Sequence, residues 1–162
     1  MRKLFLTLTA IVLVSCRSQP NPDVQALKDG LQTLETVIVT EPLNRTAYKN
    51  AIFSVQESSK KAPINVTADI TQLIINQAYV LGAWEECEDT VTLPSEMKGY
   101  CWEENTPIFK GIFRTHPDIK NDATIRVKYL NNDGYFYSRD KIVSKLLAKT
   151  KEDIKLIKSK IP

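Results

Sequence analysis

The chain has 162 residues, three cysteines, one histidine and a formal net charge of +3. This length suits a single domain, which can bury a substantial core without metal ions or many disulfides. Because 43% of the residues are hydrophobic and 25% are charged, the composition excludes a disordered chain and a multi-span membrane protein, and the small net charge gives no reason to expect a nucleic-acid partner.

The N-terminus has the pattern of a secretory signal peptide. Arg2 and Lys3 precede an apolar stretch that extends from residue 4 to residue 14. A membrane-spanning helix needs roughly 18–20 apolar residues, whereas this stretch has the length of a signal-peptide hydrophobic region. The sequence therefore predicts export from the cytoplasm.

The end of this stretch carries a second signal. Leu13-Val14-Ser15-Cys16 resembles the lipobox of bacterial lipoproteins, and the resemblance implies cleavage before Cys16 and acylation of that cysteine. Arg17 follows, where an aspartate would favour retention in the inner membrane, so we expect an anchor in the outer membrane with the domain facing the periplasm. The predicted organisation is a signal peptide at 1–15, a lipidated tether at 16–23 and a single domain at 24–162.

The other two cysteines are Cys87 and Cys101. In an oxidising compartment an even pair predicts a disulfide, and two buried free thiols are the alternative. Two thiolates without nearby histidine or cysteine partners do not indicate a metal site. The single histidine, His116, precedes Pro117, and we expect it to cap a helix or to pack rather than to bind metal or catalyse.

Hydrophobic periodicity predicts a mainly α-helical fold, a small bundle of about five helices held by one disulfide. The third helix is the most apolar and is expected at the centre of the fold. Its predicted core face is Ile70, Leu73, Ile74, Ala78, Leu81 and Trp84, with Ile75 and Val80 on a second apolar face. The predicted helices are 22–39 with Asn21 as its cap, 46–57, 67–84, 108–114 and 138–161.

Residues 124–137 allow two structures. Alternating apolar residues flank a turn signal at 131–134, which predicts a β-hairpin. Ala123, Val127 and Leu130 also have helical spacing. The sequence leaves the hairpin and the helix open.

The segment 85–104 is acidic, with seven Asp and Glu residues against one lysine. A disulfide would pre-order it, aromatic residues are common interface anchors, and clustered carboxylates attract a basic partner. One interpretation is therefore a binding site for a basic protein; the alternatives are a solvated loop with both tryptophans in the core, or a calcium site. The candidate binding residues are Trp84, Glu85, Glu86, Glu88, Asp89, Tyr100 and Trp102.

The C-terminal helix is basic, with eight cations and three anions between Arg139 and Lys160. Such a helix could lie on an anionic membrane surface, pair with the acidic segment, or present a solvated lysine face. The five glycines are dispersed, and no phosphate-binding loop or catalytic motif is recognisable in the sequence. We therefore expect no enzyme activity, no cofactor and no bound metal.

A further resemblance involves Tyr79–Ala83, Cys101 and residues 108–130. With His116-Pro117-Asp118 and Ala123 at matching places, this region is similar to the type VI amidase-immunity proteins of the Rap/Tai kind. The resemblance implies a periplasmic protein that neutralises a toxin, and it implies that residues 123–130 are helical.

Together these features predict a lipid-anchored cell-envelope protein that acts by binding another protein, as an immunity or exclusion factor. The alternative is a structural accessory lipoprotein of a secretion or conjugation machine.

Overall fold

The computed structural model describes residues 21–40, 42–86, 99–102, 107–128 and 135–162. The mainly helical class is confirmed, and a 3-10 turn (Ile64–Val66) precedes the third helix. The helices are α1 (Pro22–Val39), α2 (Arg45–Ser59), α3 (Thr67–Glu86), α4 (Pro107–Thr115), α5 (Pro117–Asn121) and α6 (Arg139–Lys160). The strands are β1 (Tyr100–Trp102), β2 (Arg126–Lys128) and β3 (Tyr135–Ser138).

Side-chain caps mark the starts of α1, α2 and α6. The Asn21 side chain accepts a hydrogen bond from the Asp23 backbone N–H at 2.9 Å, and Pro22 occupies a first-turn position that needs no N–H donor. Asn44 caps α2 in the same way. The last two residues of the predicted tether at 16–23 lie in the first turn of α1.

The four long helices form a bundle in which successive helices run in opposite directions. Near the start of α1, Lys61, which follows the end of α2, approaches Asp23 at 3.3 Å. Between α3 and α6, Lys160 contacts Asp69 at 2.7 Å. Since α6 also contacts α1, through Lys158 and Glu35 at 2.5 Å, the helices close a ring in the order α1, α2, α3 and α6. This is up-down-up-down topology.

The alternation gives the bundle two distinct ends. The Pro22 end contains the start of α1, the 3-10 turn and the end of α6. The Trp84 end contains the end of α1, the start of α2, the end of α3 and the start of α6. An α-helix rises 1.5 Å per residue, so the eighteen residues of α1 separate these ends by about 27 Å.

The core-facing side of α3 differs from the predicted one. Ile70, Leu73 and Trp84 are buried as expected, but Ala78 is exposed and Ile74 and Leu81 are only partly buried. Of the predicted second face, Val80 is buried and Ile75 is exposed. The helix is rotated relative to the prediction because two polar residues, Asn76 and Gln77, are buried with hydrogen-bond partners.

Residues 126–128 and 135–138 form paired strands, as in the predicted hairpin, and not a helix. Strand β2 pairs with β3 in antiparallel register, with Val127 opposite Phe136; the predicted turn at 131–134 lies outside the described residues. Strand β1 pairs with the other edge of β3, with Cys101 opposite Tyr137. The helix at 123–130 that the Rap/Tai resemblance implied is therefore wrong, since residues 126–128 are a strand.

The short helix α5 was not among the predicted elements. It begins with Pro117 directly after His116, and the Ile119 N–H donates to the His116 carbonyl at 3.0 Å. Its five residues are too few for a hydrophobic repeat to be visible in the sequence. Helix α5 nevertheless contributes Ile119, which is fully buried, to the core.

Four lysines of α6 form ion pairs within the fold. Lys145 contacts Asp122 at 2.9 Å and Lys149 contacts Asp118 at 3.0 Å. Lys158 and Lys160 contact the acids on α1 and α3 described above. These partners lie outside the acidic segment 85–104, so the described pairs differ from the predicted ones. These pairs are partly exposed to solvent, and surface ion pairs contribute about 0–1 kcal/mol each.

Candidate protein-binding groove

An open groove of about 430 Å³ lies at the Trp84 end of the bundle, where α1 and α6 are not closely packed. One wall is the end of α1 with the following connection, and the other is the first half of α6. Trp84 of α3 contributes to the lining between them. The lining residues are Ile38, Thr40, Leu43, Trp84, Asp140, Val143, Ser144, Leu147, Ala148 and Lys151.

Trp84, a predicted interface residue, lies mainly in the core. Its side chain is 7% exposed, and its ring contacts the Tyr48 ring edge-to-face with 5.3 Å between centroids. The Arg45 guanidinium lies 5.4 Å from the ring centroid, within the range of a cation–π contact. Trp84 therefore stabilises the groove and offers a partner only a small part of its surface.

The two described acids of the segment 85–104 make contacts within the fold. Glu85 pairs with Lys49 of α2, with 2.7 Å between Oε1 and Nζ. Glu86 Oε2 accepts a hydrogen bond from the Ile108 backbone N–H at 3.2 Å, which satisfies an otherwise unpaired donor in the first turn of α4. Glu88 and Asp89 lie outside the described residues. These two acids thus link the end of α3 to α2 and to the start of α4.

The aromatic residues that follow Gly99 belong to the sheet. Tyr100 and Trp102 are half-buried, and the Trp102 ring contacts Phe136 with 4.6 Å between centroids. Cys101 is buried between them. Cys87 lies outside the described residues, so the disulfide between Cys87 and Cys101 stays a prediction.

A buried hydrogen-bond chain crosses the core next to the groove. The Tyr48 hydroxyl donates to Gln77 Oε1, and Gln77 Nε2 donates to Thr150 Oγ1 at 2.8 Å. All three residues are almost fully buried, and burial raises the pKa of the Tyr48 phenol above its ordinary value. These hydrogen bonds connect α2, α3 and α6. They therefore fix the position of the α6 wall relative to Trp84.

A second polar cluster surrounds His116, which packs in the core as predicted. Its Nε2 atom lies 2.9 Å from Asn76 Oδ1, and Asn76 Nδ2 donates to Asp153 at 2.8 Å. Burial and, to a smaller extent, Lys149 lower the pKa of His116, although Asp118 and Asp153 act in the opposite direction. Burial also raises the pKa of Asp153. The cluster holds α3 and α6 against the α4–α5 connection.

We expect the free energy of unfolding to decrease between pH 7.5 and pH 5.5. His116 has an ordinary pKa of 6.5 and a lower pKa in the folded chain, so the unfolded chain binds more protons in this interval. Urea denaturation at the two pH values measures the difference. His116→Gln, which retains a side-chain hydrogen-bonding group but cannot titrate, should reduce it. An equal pH dependence in both proteins would contradict the assignment to His116.

The described residues contain neither a group of three metal-binding side chains nor a helix long and apolar enough to cross a membrane. Comparison with known protein families, curated proteins and solved structures found no match for the chain.

The predicted binding residues and the groove therefore coincide only in part. Trp84 lines the groove, and Glu85 and Glu86 follow it at the end of α3. Tyr100 and Trp102 lie in β1. The periodicity of α6 identifies its core face but not the shallow gap beside it, so Asp140, Ser144, Ala148 and Lys151 are not among the predicted site residues.

Proposed function

We propose that the chain is a lipid-anchored cell-envelope protein without enzyme activity, which binds another protein at the Trp84 end of its bundle. The observation that carries this proposal is the alternating direction of the four long helices. It separates the start of α1, next to the predicted anchor, from the groove by about the length of α1, 27 Å.

The predicted tether is short. Five residues lie between Cys16 and Pro22, and the six steps from one to the other span about 20 Å when the chain is fully extended. A domain attached in this way stays close to the membrane at its Pro22 end, and the Trp84 end is then directed away from the lipid. Such an orientation suits a protein that meets its partner in the periplasm, as an immunity or exclusion factor does.

Replacing Cys16 by serine should release the protein from the membrane fraction of bacterial cells. A lipid chain contributes about 0.8 kcal/mol for each buried methylene, and anchoring by two or more chains is stable. Cell fractionation and blotting measure the distribution of the two proteins. Ser15→Ala, which retains the cysteine, is the matched control. A Cys16→Ser variant that remains wholly in the membrane fraction would contradict the anchor.

The alternative is a structural accessory lipoprotein of an envelope machine, and exposed apolar side chains elsewhere favour it. Ile64 in the 3-10 turn is 90% exposed, and Phe53 on α2 is 62% exposed. Assembly contacts through these residues would use the Pro22 end and one flank of the bundle. The two functions therefore differ in the surface that contacts the partner, which site-specific cross-linking can distinguish.

A further inference from the structure

The side chains that line the α6 wall of the groove differ in chemistry from one end of the wall to the other. Asp140, Ser144, Leu147, Ala148 and Lys151 all line it, and their spacing of four, seven, eight and eleven residues after Asp140 places them on one side of the helix. Eleven residues of α-helix extend about 16 Å. The wall thus presents a carboxylate at one end, an ammonium group at the other and an apolar surface between them.

The carboxylate of this wall is open to solvent. Asp140 Oδ1 accepts a hydrogen bond from Arg139 Nε at 2.8 Å, yet its side chain is 74% exposed. Lys151 is also exposed. Each end can therefore meet a group of opposite charge on a partner without first losing a buried contact.

We propose that the groove binds an amphipathic helix of another protein, whose apolar face carries a cation near Asp140 and an anion near Lys151. The charges define the ends of the bound segment, and about three helical turns fit between them. This inference rests on the proposed function, because it names the chemistry of the partner at the Trp84 end.

The walls favour a helix over an extended strand or an acyl chain. Most of the lining comes from α6, whose backbone groups are already bonded within the helix, and none of the lining residues belongs to a strand, so the groove offers no strand edge for β-augmentation. Ser144 and Ala148 are small and exposed, which lets a second helix approach α6 closely. An acyl chain has no charged groups that could pair with the opposite charges at the two ends of the wall.

Three synthetic helical peptides of about fourteen residues test the proposal. All share one leucine-rich face and differ only in the residues at its two ends: Lys and Glu, Lys and Lys, or Glu and Glu. Each peptide carries a fluorescent label and is titrated against the full chain, with fluorescence anisotropy as the measurement. We expect the Lys/Glu peptide to bind roughly three- to tenfold more tightly than the other two.

Charge-reversal variants of the full chain make the test specific to the groove. Asp140→Lys should transfer the preference to the Glu/Glu peptide, and Lys151→Glu should transfer it to the Lys/Lys peptide. Lys155→Glu, on the same helix outside the groove lining, should leave the original preference unchanged.

Equal affinity for the three peptides, or no binding of any, would overturn the proposal. So would self-association of the full chain that Asp140→Lys abolishes, since the occupant would then be a second copy. None of these results depends on Cys16 or on the native partner. Failure of the peptide test therefore removes the helix-binding inference, while cross-linking from the Trp84 end decides the proposed function separately.

Discussion

We expect Trp84→Ala to lower the free energy of unfolding by about 3–5 kcal/mol, the usual cost of truncating a buried large aromatic residue. Trp84 joins three parts of the bundle, because it lies on α3, its ring meets Tyr48 of α2, and it lines the groove beside α1 and α6. Its removal would leave a cavity at the point where the groove is formed. Urea denaturation followed by circular dichroism measures the loss without relying on tryptophan fluorescence.

Trp102→Ala is the matched control for this prediction. Trp102 is half-buried at one face of the three-stranded sheet, where it contacts Phe136. Because less apolar surface leaves water at this position, its truncation should be clearly less destabilising. An equal or larger loss for Trp102→Ala would contradict the placement of Trp84 in the core.

The second large effect on stability concerns the buried hydrogen bonds that join Tyr48, Gln77 and Thr150. We expect Gln77→Leu to lower the free energy of unfolding by about 1–3 kcal/mol, although leucine is more apolar than glutamine. The substitution removes the acceptor of the Tyr48 hydroxyl, which has no access to water in its fully buried position. A buried polar group that loses its partner costs about this amount of stability.

The double variant Tyr48→Phe/Gln77→Leu separates this cause from a loss of packing. Removing both members of a hydrogen bond leaves no unpaired hydroxyl at Tyr48, and Thr150 keeps its bond to the Leu146 carbonyl at 2.9 Å. We therefore expect the double variant to be more stable than Gln77→Leu alone, as judged by urea denaturation. Strictly additive losses would contradict a direct coupling between the two side chains.

The helices were predictable because their signals are local. Asn21 and Pro22 mark the start of α1, and the apolar repeat of α6 continues from Val143 to Ile161. The hairpin could be recognised but not separated from a helix, because Val127 fits both repeats. The pairing of β2 with β3 decides between the two structures, and the other edge of β3 pairs with β1, which is distant in the sequence.

The core side of α3 was less predictable. Hydrophobicity alone places Asn76 and Gln77 at the surface, yet their amides bond to partners on α2, α6 and the α4–α5 connection. No local pattern contains those partners. The pairing of Cys101 with Tyr137 in the sheet could not be foreseen for the same reason.

At the candidate site, the residues that composition predicts to bind a partner differ from those that line the groove. A cluster of acids near tryptophans predicted an interface, but Glu85 and Glu86 hold neighbouring helices and Trp84 is mostly buried. The exposed charged residues that line the groove, Asp140 and Lys151, lie on α6, for which the sequence indicates only a basic helix. Which lysine faces a groove depends on the packing of α1 against α6 and cannot be read from charge counts.

Cross-linking in living cells tests the central claim, that a protein partner binds the bundle end opposite the anchor. A photoreactive amino acid is introduced at Ser144, in the groove, or at Ile64, at the Pro22 end; both positions are exposed. We expect a discrete protein adduct from Ser144 and none from Ile64. Ala148→Trp, which fills the groove, should abolish the Ser144 adduct. A discrete adduct from Ile64 alone would contradict this claim and would favour the accessory lipoprotein.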